Sequence, residues 1–61
     1  MDTVGERLRA ERDRLQMTQD AFAAAMGCKK RALANYESGE RSPDASLLGG
    51  AARVGADVLF I

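Results

Sequence analysis

Histidine is absent from this 61-residue chain, and cysteine occurs once, at Cys28. A zinc or haem site therefore lacks its usual ligands, and an intrachain disulfide is excluded. Long apolar runs are also missing. None approaches the roughly 20 residues of a membrane span, and no signal-peptide h-region appears, so a soluble, cytoplasmic protein is expected. Charge of one sign is lacking too, since nine basic and nine acidic residues cancel. The overall basicity that makes many nucleic-acid binders easy to recognise is not there. Enzyme chemistry finds no foothold: no Ser or Lys has an evident activating partner, and Cys28 follows a glycine at a core position. No cofactor and no small-molecule ligand is indicated. The length allows one domain, residues 1–61, with one small core. A chain this short buries only about 60% of its unfolded surface, so modest stability follows.

What is present is a well-punctuated stretch from Thr18 to Gly39, TQDAFAAAMGCKKRALANYESG. Thr18 is a good N-cap, and Met17 with Phe22 can close as a hydrophobic staple. Gly27 stops the helix, because glycine takes the left-handed conformation without steric cost. Cys28 can then fold back against Ala23 or Phe22. A second helix begins almost at once and ends at Ser38-Gly39. Its spacing puts Leu33, Tyr36 and Glu37 on one face and Lys30, Arg31, Ala34 and Asn35 on the other. Helix, tight glycine turn and second helix form the unit that presents one helix to a DNA major groove.

The start of that second helix breaks local rules. Lys29, Lys30 and Arg31 stand at the end where cations lose roughly 0.3–1 kcal/mol each against the helix dipole. Lys29 also has no acceptor with which to cap. A bound polyanion would relieve the conflict, and such conflicts gather at functional sites. Arginine matches guanine O6/N7 and asparagine matches adenine N6/N7, so Lys30, Arg31 and Asn35 are candidates for base edges, with Ala34 against a thymine methyl. Lys29 would neutralise phosphate.

Thr18-Gln19, Ala23, Gly27, Tyr36-Glu37 and Gly39 together resemble the helix-turn-helix of the lambda-repressor-like, Cro-type (XRE) family, and the likeness extends from about Gly5 to Ile61. The resemblance implies an all-α, compact five-helix DNA-binding domain with its helix-turn-helix at about 18–38, binding a double-stranded DNA operator as a symmetric homodimer. It implies phosphate contacts from Thr18, Gln19, Lys29, Ser38 and Arg41, the last in the loop after the recognition helix. Gln19 either reaches phosphate or braces that helix. Lys29 stands where the family commonly has a small hydroxyl residue, and Ser38 where it frequently has Asn.

The remaining segments supply the scaffold. In residues 5–15, Leu8, Arg12 and Leu15 fall on one face, so an arginine sits inside an apolar stripe. An unpaired buried guanidinium is costly, and Glu37 on the inward face of the second helix is the obvious partner. Arg7, Arg9 and Arg14 are expected to be solvated, with Glu6, Glu11 and Asp13 as neighbours. Ser42-Pro43-Asp44 starts a fourth helix, to about Val54, with an apolar side of Leu47, Leu48, Ala51, Ala52 and Val54. Gly49-Gly50 in its middle mean either a close neighbour or a soft helix. Gly55 ends it, and Asp57 can cap a fifth. Val58 to Ile61 cannot all face one small core, so Leu59, Phe60 and Ile61 are read as a partner surface, for a second copy or for further chain. A small interface implies a dimer that is weak without DNA. The leading function is a phage-repressor-like transcriptional regulator. The alternative is a protein-interaction module on the same fold, such as an antitoxin or coactivator-like adaptor.

Overall fold

The computed structural model describes residues 3–61 and forms four helices: α1 (Val4–Arg14), α2 (Gln19–Met26), α3 (Lys30–Ser38) and α4 (Ala45–Arg53). Three of the four begin on a side-chain cap. Thr3 Oγ1 accepts from Glu6 N at 3.1 Å, Thr18 Oγ1 from Ala21 N at 3.1 Å, and Asp44 Oδ1 from Leu47 N at 2.9 Å. Each removes an orphan amide donor from a helix start. Helix ends are equally local. Gly27 and Gly39 take φ of 85° and 88°, which lets Cys28 N bond back to Ala23 O at 2.9 Å and Glu40 N to Asn35 O at 3.0 Å. α1 ends the same way through Gln16 at φ 56°, with Met17 N on Arg12 O at 3.1 Å. A side chain in that left-handed conformation costs about 1–2 kcal/mol.

Those ends aim the apolar faces at one another. Leu8, Phe22, Ala23, Met26, Leu33, Tyr36, Ala51 and Ala56 are buried as one cluster, with Leu15, Met17, Cys28, Leu47, Val54 and Ile61 packed around it. Ala52, expected on the apolar side of α4, is exposed. α2 packs on both α3 and α4, and α1 packs on α3. Two glycines set how closely these helices approach. A Cβ on Gly5 would overlap the carbonyl oxygens of Tyr36 and Glu37, and one on Gly50 would lie 2.6 Å from Met26 Cα. At Gly49 the same atom would meet nothing within 4 Å. The expected choice between close packing and softness thus divides: Gly50 is a helix contact and Gly49 faces open space.

The expectation of five helices is corrected to four. Residues 57–61 make one turn, in which Asp57 Oδ1 accepts from Leu59 N at 3.0 Å and Phe60 N at 3.2 Å, and Ile61 N bonds to Asp57 O at 3.1 Å. Asp57 does cap, but a single closed turn does not offset the entropy of nucleating a helix.

This turn is tied down by side chains expected to be solvated. Glu11 is 6% exposed and accepts from Arg14 Nη2 at 2.7 Å and Asp57 N at 2.8 Å. Arg14 Nη2 also donates to Gly55 O at 2.8 Å. The hydrogen bonds from Arg14, then from the Asp57 amide, hold the Glu11 carboxyl below its ordinary value despite burial. Arg7 reaches the same segment, with Nη1 3.0 Å from Phe60 O and its guanidinium 5.5 Å from the Phe60 ring centroid.

Candidate nucleic-acid interface

Lys29 precedes α3 in extended conformation, φ −85° and ψ 155°, and makes no side-chain cap. Lys29, Lys30 and Arg31 are exposed, while Ala34 and Asn35 are half-buried on the same helix. Among the described residues, no ion pair or side-chain hydrogen bond engages the three cations. The cost of the helix dipole is therefore uncompensated among the described residues. Leu33 and Tyr36 bury the opposite side, which fixes the rotation of α3 about its axis.

A polar network holds that helix against its neighbours. Arg12 Nε donates to Glu37 Oε2 at 2.7 Å and Nη2 to Oε1 at 3.2 Å, a fork of two bonds. The side chains are 13% and 6% exposed. Arg12 Nη1 also donates to Met17 O at 3.1 Å. The hydrogen bonds to Glu37 outweigh burial and hold the guanidinium above its ordinary range. Glu37 Oε1 accepts once more, from Gln19 Nε2 at 3.0 Å. This bond ties the first turn of α2 to α3.

The other candidates sit around this frame. The Thr18 hydroxyl accepts from the Ala21 amide as a cap. Ser38 Oγ donates to Asn35 O at 3.1 Å, and Arg41 is exposed in the loop before α4. Arg9, Arg12, Gln19, Ala34, Glu37 and Ser38 line an open cleft of about 320 Å³ between α1, α2 and α3. Arg9 is exposed beside Asp13, as expected, and it also borders this cleft. The signal that could have placed it here is its i,i+3 spacing from Arg12, which puts both on one side of α1. Burial raises the Cys28 thiol above its ordinary value, so it stays protonated and packs as an apolar group.

Leu59, Phe60 and Ile61 belong to the turn after α4 rather than to this face. Leu59 is 95% exposed and Phe60 40%, whereas Ile61 packs against the core.

A helix-turn-helix family model matches residues 8–54, most of the chain. The chain belongs to the lambda-repressor-like, Cro-type helix-turn-helix family. Its members are DNA-binding transcription regulators, and the match begins inside α1 and closes just after α4. Neither the curated proteins nor the solved structures yield a significant match. Among the described residues, this helix-turn-helix protein has no helix long and apolar enough to cross a membrane.

Proposed function

We propose that this domain is a sequence-specific repressor that occupies a palindromic operator in the cytoplasm as a weak two-fold dimer. The observation that carries the reading is the start of α3. Three exposed cations stand at the positive end of a helix dipole with no anionic partner among the described residues. A phosphate backbone is the polyanion that would supply one.

In this reading α3 enters the major groove. Lys30, Arg31 and Asn35 read base edges, and Ala34 touches a thymine methyl. Thr18, Gln19, Lys29, Ser38 and Arg41 fix the register on phosphate. The Arg12–Glu37 pair keeps α3 at the angle the groove requires. The second reading, a protein-interaction module, draws on the zero net charge and on the exposure of Leu59. It predicts no preference among DNA sequences.

The deciding experiment is selection of bound sequences from random duplex DNA, followed by salt titration of variants. A defined palindromic motif is expected. Lys29→Ala should weaken specific and random duplexes alike and flatten the log–log salt dependence by about 0.9. Arg31→Ala and Asn35→Ala should instead relax preference at particular positions, losing about 1–3 kcal/mol of discrimination each. Recovery of no motif favours the interaction module, and identical behaviour of the three variants removes the roles assigned here.

A further inference from the structure

We infer that Arg9, on α1, is a ligand for a DNA backbone phosphate, held at the cleft between α1 and the helix-turn-helix. The inference rests on the DNA-binding reading above and extends the contact surface to a helix outside the motif.

Three observations carry it. Arg9 is 67% exposed at its side chain, yet it borders a cleft whose other walls are Ala34 and Ser38 of α3 and Gln19 of α2. Those residues belong to the proposed DNA face, so the cleft opens onto the same side as the recognition helix. Second, the carboxylate in the cleft is already satisfied. Both oxygens of Glu37 accept hydrogen bonds, from Arg12 and Gln19, and its charge is matched by Arg12. Arg9 is therefore the cation in the lining that this pair does not consume. Third, Arg9 has a poor partner. Among the described residues its guanidinium meets one carboxylate, Asp13, with Nε 3.9 Å from Oδ2. Both side chains are more than half exposed, and an exposed i,i+4 pair at that distance holds an arginine weakly. A phosphate accepts two guanidinium N–H groups side by side, which Asp13 at 3.9 Å does not.

Asp13 gives the inference a second handle. It also lies 3.7 Å from Arg12 Nη1, so it subtracts charge beside both Arg9 and Arg12. Removing Asp13 should strengthen binding where removing Arg9 weakens it. Unfolding of a variant cannot imitate that gain.

The test measures affinity for one duplex of random sequence across a salt series. Variants are Arg9→Gln, Arg9→Lys, Asp13→Asn and, as an equal charge removed elsewhere, Arg53→Gln at the exposed end of α4. Arg9→Gln should lower the magnitude of the log–log slope by about 0.9, one phosphate's worth. Arg9→Lys should retain most of the slope, Asp13→Asn should bind tighter, and Arg53→Gln should match the parent. Helical circular dichroism and the melting temperature check that each variant is folded. A parent slope retained by folded Arg9→Gln, or a loss equalled by Arg53→Gln, overturns the inference and leaves DNA binding intact. Absence of binding by the parent at every salt concentration overturns both.

Discussion

Glu37 serves two partners at one carboxylate, and the two are unequal. The Arg12 fork joins opposite charges in a site from which water is largely excluded, while Gln19 adds one neutral donor. Removing one member of a buried ion pair strands the other and costs about 3–5 kcal/mol. Losing the neutral bond costs nearer 1 kcal/mol. A domain of this length holds roughly 3–9 kcal/mol in total, at about 0.05–0.15 per residue. Arg12→Ala and Glu37→Ala should therefore each lose about a third or more of that stability, and Gln19→Ala should fold with a modestly lower urea midpoint. A loss below 1 kcal/mol in both charge variants would remove the pair from any structural role. This pair was legible in the sequence because each charge interrupts an apolar stripe. Glu11 was not, since its neighbours along α1 are charged and one of its two donors, the Asp57 amide, lies 46 residues away.

At the scale of elements, the two glycines of α4 separate propensity from packing. Both sit inside the same helix, so intrinsic preference alone assigns each about 1 kcal/mol against alanine. Gly49→Ala meets open space and should raise stability by about that amount. Gly50→Ala would drive its Cβ to 2.6 Å from Met26 Cα and 2.7 Å from Ala25 O, both backbone atoms of α2. The helices must part, and overpacking of this kind costs about 1–3 kcal/mol. Thermal unfolding should show opposite shifts for the two variants. Shifts of the same sign would mean that α4 does not dock on α2 through Gly50. Helix limits were legible because their causes are local: Thr18 and Asp44 cap within three residues, and Gly27 and Gly39 terminate within five. The fifth helix was misjudged for the same reason. Asp57 caps as its type predicts, but the turn it opens is held by Glu11, Arg14 and Arg7 of α1, which local signals do not reveal.

For the whole molecule, size decides how much DNA one copy can read. The Cα trace measures 25 × 22 × 21 Å, less than the 34–36 Å between half-sites on one side of a duplex. One recognition helix reads a few base pairs, so a defined site in a genome calls for two copies. The surface proposed to join them is the turn after α4, where Leu59 is 95% exposed beside Val58 and Phe60. Exposed apolar side chains gathered in one place are what an interface covers. The turn is also well anchored, through Glu11 and Arg14 at one end and Arg7 at the other, so its apolar tip is presented without much ordering cost on association. The area is small, which predicts a monomer at low concentration and cooperative pairing on a palindrome. Leu59→Asp is the cleaner probe, because Phe60 also stacks on Arg7 and its loss would disturb the anchor. Binding of the parent and of this variant to one half-site and to a full palindrome separates the contributions. Loss of cooperativity on the palindrome, with half-site affinity unchanged, is the expected result. Cooperativity that survives Leu59→Asp would move the contact between copies to another face, and its absence in the parent would mean that each domain binds alone.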